Sequence, residues 1–375
     1  MNNINKTEIA IIGAGIVGLA MAYTLAKKGN KVTVFERTSY SVGASIRNFG
    51  MIWPIGQTSG ALYNRAMKSR EIYLEIAQEA GFWVNESGSL HLAYHNDEKD
   101  VLEEFYSNNS HEYGCKIITD HSKIKDISPA VNTNGLLTAL HSEREINVDP
   151  REVIKKLPVF LKNKYGVEFN FSTAVNQISD NNFTAGGKDW SAEKIIICSG
   201  ADFETLYPSL FESSNLTKCK LQMMRTYSQP DNWKIGASLC AGLTLTHYSS
   251  FKNCKSLAII NERIDNTMPE YRKYGIHVMA SQNGMGEIII GDSHEYSPTP
   301  EPFDKEEINH LILDYLKTFA NFPDNNIKER WHGIYPKLTD GKTDLIIQAD
   351  KNVTIVNGLG GAGMTLSFGL ANEIL

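Results

Sequence analysis

Residues 8–36 leave this chain little choice of fold. Glu8–Ile12 reads EIAII, a short apolar run suited to a strand buried on both faces. Gly13-Ala14-Gly15-Ile16-Val17-Gly18 follows at once, which is G-x-G-x-x-G, and a helical pattern then runs through Lys28 to a closing Gly29. A second strand pattern, Lys31 to Phe35 (KVTVF), ends at Glu36, 23 positions beyond Gly13. Strand, glycine turn, helix, strand and acid in that order predict a dinucleotide-binding βαβ unit. Gly13 allows the tight turn, Gly15 lets backbone approach a pyrophosphate, and Gly18 lets helix and strand pack closely. Ile16 and Val17 open the helix, whose unpaired N–H groups and positive dipole end favour phosphate. Glu36 accepts hydrogen bonds from ribose hydroxyls and would repel a 2′-phosphate, with Arg37 beside it.

Composition excludes several other readings. The 375 residues suggest two or three domains at roughly 150 residues each. Lys plus Arg is 37 against 43 for Asp plus Glu, a net charge of −6, which argues against a chain that coats nucleic acid or an anionic membrane. No stretch has the roughly 20 consecutive apolar residues of a membrane span. The five cysteines (Cys115, Cys198, Cys219, Cys240, Cys254) are scattered with no C-x-x-C pair, which fits free thiols in a reducing cytoplasm. The oligomeric state stays open.

The βαβ unit does not choose between FAD and NAD, so the rest of the chain decides. Gly43-Ala44-Ser45-Ile46-Arg47-Asn48-Phe49-Gly50-Met51 follows the ribose-binding acid and suits a cofactor that continues past it, with Ala44, Ser45, Asn48, Phe49, Gly50 and Met51 against it. Val175 lies in a returning strand, and Ser199 and Gly200 end the buried strand Ile195-Ile196-Ile197-Cys198. Near the C-terminus, Gly358-Leu359-Gly360-Gly361-Ala362-Gly363-Met364-Thr365 opens a second helix, whose N–H groups could face an anionic ring edge. Together these segments resemble the D-amino-acid oxidase-like family of FAD-dependent oxidoreductases, the group that includes glycine oxidase and sarcosine oxidase. The resemblance spans nearly the whole chain.

It implies an α/β fold, with an FAD-binding Rossmann-like (glutathione-reductase-type) domain plus a substrate domain built on a mixed, mostly antiparallel sheet. Residues 1–85, 143–205 and 325–375 are assigned to the first domain, and 86–142 and 206–324 to the second. Apolar spacing predicts a helix from about Leu62 to Ala80 ended by Gly81, another from about Glu98 to Asn108, and an Asp149-capped helix through Lys164. Residues 206–324 read as strands interrupted by one helix, Asp304 to Phe319.

The resemblance further implies hydride loss from a C–H beside an amine to flavin N5, imine hydrolysis, and reoxidation by oxygen or another electron acceptor. No side chain is assigned as a catalytic base. In glycine oxidase-like relatives the place of Tyr335 holds an arginine that grips a substrate carboxylate. In the sarcosine oxidase branch a cysteine near the place of Gly333 is bonded to flavin, and none lies there in this chain, so FAD is expected to be non-covalent. With that arginine gone, Arg47, Arg225 and Lys337 are the candidate anion anchors. Residues 44–57 resemble a branch proposed to act on aminophosphonates, which Tyr248 also fits, and a phosphonate wants cations and hydroxyls such as Tyr248 and Tyr335. The expected partner is thus a small amine, an aminophosphonate first, with a glycine-, sarcosine- or D-amino-acid-type substrate on a relocated arginine second. An NAD-dependent dehydrogenase is the alternative from another class. His332 and His247 are pocket candidates, although a structural role is favoured for each. No histidine pair has metal-ligand spacing, and no metal is expected.

Overall fold

The structure, a computed structural model, describes residues 4–375. The first apolar run forms the strand Asn5–Ile12, whose last four residues are buried. It lies parallel to Val32–Phe35 on one side and Lys188–Ile197 on the other. Glu168–Asn170 and Val353–Asn357 extend this parallel core at its two sides. Antiparallel strands Val175–Ser179, Asn182–Ala185 and Leu345–Asp350 complete an eight-stranded sheet. Helices Ile16–Lys27, Ala61–Ala80, Pro150–Tyr165 and Gly363–Ile374 bury one common apolar cluster against it. Phe368 is fully buried in it, edge-on to Tyr23 at 5.7 Å and to Tyr73 at 5.0 Å.

A nine-stranded sheet forms the second body. It is antiparallel except where Ser238–Ala241 runs parallel to Ser89–Ala93, so the mixed, mostly antiparallel expectation is met. Its long member Leu216–Ser228 pairs with Glu287–Gly291, Glu295–Ser297 and Ile327–Leu338. The last strand therefore belongs to the second sheet, although the sequence reading assigned everything from 325 onward to the first domain. Ile327–Leu338 satisfies its backbone groups by pairing with Leu216–Ser228 along nearly its whole length.

Several boundaries follow the local chemistry expected. Gly81 closes the helix Ala61–Ala80 in a left-handed conformation, and Asp149 Oδ1 accepts the Arg151 N–H to start Pro150–Tyr165. The helix expected over 98–108 is longer, Asn96–Tyr113, because His95 and Glu98 form a capping box and Gly114 ends it. The larger departure is within 242–273, expected as strand but folded as the helices Gly242–His247, Leu257–Thr267 and Pro269–Lys273. Leu257, Ile260 and Ile264 recur at helical spacing and form the buried face of the middle one. Among the described residues no helix is long and apolar enough to cross a membrane.

Candidate active site

A cleft of about 840 Å³ runs between the first sheet and the start of the second. Its floor is the glycine turn. Gly13 has φ +103°, and a Cβ there would stand 2.3 Å from the Cys198 carbonyl oxygen, so only glycine permits the approach. A Cβ on Gly18 would stand 1.9 Å from the Gly13 carbonyl oxygen, which is why this position packs rather than lines the cleft. Gly15 differs from both. A Cβ on it meets Ser45 Oγ at 3.2 Å and Ser41 Oγ at 3.7 Å, both side-chain atoms, and points into the cleft.

The helix Ile16–Lys27 starts at Gly15 with no cap from that residue, and the Ile16 N–H donates to Ser45 Oγ at 2.9 Å. The buried Glu36 carboxylate stands at the same mouth, where it accepts Ala14 N–H at 3.0 Å and the Thr38 N–H and hydroxyl at 3.0 and 2.8 Å. A cleft floored by glycine, facing a helix N-terminus and closed by a carboxylate, fits a dinucleotide.

Of the expected cofactor residues, Gly13, Gly15, Ile16, Val17, Glu36, Arg37, Ala44, Ser45, Asn48, Val175, Ser199, Gly200, Gly333, Gly360, Gly361, Gly363 and Met364 line this cleft. Phe49, Gly50, Met51, Ala362 and Thr365 do not. After Asn48, whose Nδ2 donates to the Ala44 and Ser45 carbonyls, the loop turns away to pair Met51–Ile52 with Ile146–Val148. A Cβ on Gly50 would meet the Val148 oxygen at 2.0 Å, and Thr365 Oγ1 accepts the Trp53 N–H at 3.0 Å. These residues fix the loop and the C-terminal helix to each other. Ser41, Thr173, Asn176 and Cys198 line the cleft without having been singled out, since only folding brings their segments together. All five cysteines are buried and free, and burial pushes the Cys198 thiol up to about 12.

The far end of the cleft holds the expected substrate groups, with some rearrangement. Tyr335 lines it, and burial, then the nearby Cys219, raises its hydroxyl well above the usual value. Lys337, two residues along the same strand face, is two places from Tyr335 in a period of two. Burial lowers its pKa, and it makes no ion pair among the described residues. Its Nζ lies 3.6 Å from where a Gly360 Cβ would stand, at the cleft edge. Arg47 lines the cleft and donates to the His332 carbonyl at 3.1 Å. His332 itself turns to Asp304, at 2.9 Å.

Arg225 lies outside this cleft. Its amino groups are held by Glu287 at 3.2 Å and Glu329 at 2.5 Å, beside a smaller cavity of about 180 Å³. Glu287 is fully buried and also receives Arg151 at 3.2 Å and Lys328 at 2.7 Å. Desolvation alone would raise the Glu287 carboxyl, but the Lys328 and Asn283 hydrogen bonds and the Arg151 charge outweigh it and lower its pKa. A depressed carboxylate stabilises the fold above its unfolded pKa of about 4.3, and that contribution is lost as pH falls through the folded value. Glu287→Gln should therefore lower the unfolding free energy at pH 7 by about 3–5 kcal/mol and flatten the acid limb of stability. Urea midpoints at pH 7 and pH 4 measure both, and an unchanged midpoint at pH 7 would remove this network from the fold.

Tyr248, expected against the substrate, does not line the cleft; its hydroxyl donates to Met279 Sδ at 3.3 Å and its ring lies edge-on to His247 at 5.1 Å. Around it the fold gathers what spacing hid. His247, His277 and His294 are 30 and 17 positions apart in sequence yet have potential ligand atoms within 4.8 Å of one another.

Known proteins place this geometry. The model of the family described as FAD dependent oxidoreductase matches residues 8–374. A glycine oxidase of Geobacillus kaustophilus is 22% identical over 354 residues, covering 90% of this chain and 83% of the relative. A D-amino acid dehydrogenase of Helicobacter pylori is 26% identical over 257 residues, and the match spans 52% of this chain and only 60% of that relative's length. Among solved structures, the glycine oxidase from Geobacillus kaustophilus superimposes with a TM-score of 0.77 at 19% identity, over 99% of this chain and 93% of that one. The L-proline dehydrogenase from P. horikoshii gives 0.76 at 22% identity, over 98% and 92%.

Proposed function

Because this chain belongs to the family of FAD-dependent oxidoreductases, we propose that it oxidises the C–N bond of a small amine whose acid group is held at the Tyr335 end of the cleft. Bound FAD would accept the two electrons and the hydrogen of the amine's C–H bond. The chain's own residues bind and orient. The open N-terminus of Ile16–Lys27 and Gly15 hold the pyrophosphate, Glu36 the ribose, and the Gly360–Gly363 turn offers N–H groups to the ring edge. We assign residues 1–85, 143–205 and 339–375 to the cofactor domain and 86–142 and 206–338 to the substrate domain, following the strand pairing. Five buried, unpaired cysteines support a reducing, cytoplasmic setting.

Lys337 carries the substrate reading. An unpaired, half-buried ammonium on the strand face of Tyr335 suits a group with several anionic oxygens. We therefore favour an aminophosphonate, of the 2-aminoethylphosphonate type or its N-alkyl derivative, over an amino acid. The likeness to glycine oxidase and D-amino acid dehydrogenase favours the second reading, in which the same lysine, or Arg47, holds a carboxylate. Oxygen or another acceptor then takes the electrons. Anaerobic bleaching of the flavin against a panel of amines separates the two. A 2-aminoethylphosphonate-like compound should reduce the flavin faster than glycine, sarcosine or D-alanine, and a faster reaction with any of those three overturns the aminophosphonate assignment.

The manner of attachment is checked separately. With all five cysteines buried and none at the place of Gly333, acid or heat should release FAD into the supernatant. Yellow colour retained in the precipitated chain would show a covalent bond.

A further inference from the structure

The histidine cluster beside the substrate end of the cleft is not explained by amine oxidation, and it leaves His277 Nδ1 and Asp292 Oδ1 buried without a hydrogen-bond partner. His247 ends the short helix Gly242–His247. His277 and Asp292 exchange backbone hydrogen bonds at 3.3 and 2.9 Å where two antiparallel strands continue, and His294 follows two residues later. The ring centroids of His247 lie 3.8 Å from His277 and 4.6 Å from His294, and those of His277 and His294 are 5.2 Å apart.

Proton accounting limits what this group can bind. His294 Nδ1 stands 2.9 Å from the Gly275 carbonyl, which can only accept, so Nδ1 carries the hydrogen and a neutral His294 presents a bare lone pair at Nε2. That arrangement, backbone carbonyl on one nitrogen and free lone pair on the other, is how metal-bound histidines are oriented. His277 Nδ1 is buried without a hydrogen-bond partner, and so is Asp292 Oδ1, although His277 Nε2 lies 3.1 Å from that oxygen. Asp292 Oδ2 is 3.8 Å from His294 Nε2.

Imidazole nitrogens gathered within 4.8 Å of one another, with the Asp292 side chain beside them, favour a cation over an anion. Lys337 and Lys252 place opposing positive charge near His247, which Asp292 has to offset for a cation to bind.

The geometry points to a divalent transition-metal site formed by His247, His277 and His294, with Asp292 as fourth ligand or as the partner that orients His277. Imidazole and carboxylate together suit a borderline ion such as Zn²⁺. Zn–N bonds of about 2.0–2.1 Å put tetrahedral ligand nitrogens roughly 3.4 Å apart, so binding must draw the three in from 4.8 Å. His247, the exposed residue of the three, ends a short helix and would make most of that movement. His294 lies 6.5 Å from Tyr335, so the ion would stand at the substrate end of the cleft, where with Lys337 it makes a strongly cationic wall. The site rests on the ligands alone and not on which amine is oxidised.

The test uses the FAD-loaded holoenzyme with no affinity tag, dialysed against a chelator and titrated calorimetrically with Zn²⁺ and with Co²⁺. One ion per chain should bind at micromolar concentration or below. His247→Gln, His277→Gln and His294→Gln should each weaken binding at least about tenfold, the lower end of what loss of even an indirect metal partner costs. His310→Gln, exposed beside Glu306, should change nothing. Retained FAD shows that each variant is folded, and His247→Gln carries the test if a buried variant does not fold. Absence of stoichiometric binding, or binding of the same strength in the three cluster variants, overturns the proposal. Because calorimetry needs no turnover, that result would leave the flavin-bleaching assignment of the substrate standing.

Discussion

Gly15→Leu is expected to purify folded, in normal yield and without yellow colour. A Cβ at this position meets only the hydroxyls of Ser45 and Ser41, at 3.2 and 3.7 Å, and both can shift, Ser45 at the cost of its bond from the Ile16 N–H. The rest of the leucine must then enter the cleft in front of the helix Ile16–Lys27, where the pyrophosphate is to lie. Displacing a doubly charged group from a helix N-terminus and its backbone donors costs at least about 4 kcal/mol, a thousandfold in affinity. The ratio of absorbance at 450 and 280 nm reads occupancy, and circular dichroism reads the fold. Gly13→Ala separates cofactor loss from misfolding. Its Cβ would stand 2.3 Å from the Cys198 backbone oxygen at a φ of +103°, so this variant should lose the fold itself and not merely the flavin. A yellow, fully occupied Gly15→Leu would place the phosphates elsewhere.

That contrast between two glycines of one motif marks how far the sequence could be read. The βαβ unit was legible because its requirements are local. A parallel strand, a turn that tolerates no Cβ and an acid one strand later occur within 30 residues, and the structure reproduces them in register. The Asp149 cap and the closing Gly81 were legible for the same reason, since each satisfies backbone groups of its own helix. Where the determining partner is distant in sequence, the reading failed. Arg225 is a candidate anion anchor by sequence, yet its partners Glu287 and Glu329 lie 62 and 104 residues on, brought to it by strand pairing. The strand Ile327–Leu338 carries no sign in itself of which sheet it joins. The three histidines show no spacing at all, because a helix end and two strand ends deliver them. Helix 257–267 was readable from its period, but a strand-rich setting hid it.

Lys337→Met should produce the largest loss of turnover with the cofactor fully in place. Of the three cations that the sequence offered, Arg225 is neutralised by two carboxylates, and Arg47 spends one amino group on the His332 carbonyl. Lys337 and Arg47 are both half-buried and without a counter-charge among the described residues, but only Lys337 leaves its side chain without a hydrogen bond there, and its strand face is that of Tyr335. Removing it leaves the acid group of a bound substrate unmatched in a partly dry pocket. The cost should be about 2–5 kcal/mol in transition-state binding, roughly 30-fold to several thousand-fold in kcat/KM. Arg47→Met should cost less, because the guanidinium is already engaged. The pH profile supplies an independent reading. Burial depresses the Lys337 pKa, so the charged form that binds an anion is lost as pH rises, at a value below the ordinary lysine figure of about 10.4. The alkaline limb of kcat/KM should therefore move upward in Lys337→Arg, which restores charge, and vanish in Lys337→Met, which has none to lose. If Lys337→Met retains wild-type kcat/KM on the best amine, the anchor lies elsewhere in the cleft. An alkaline limb that stays in place across all three proteins would assign that ionisation to the substrate amine rather than to the enzyme.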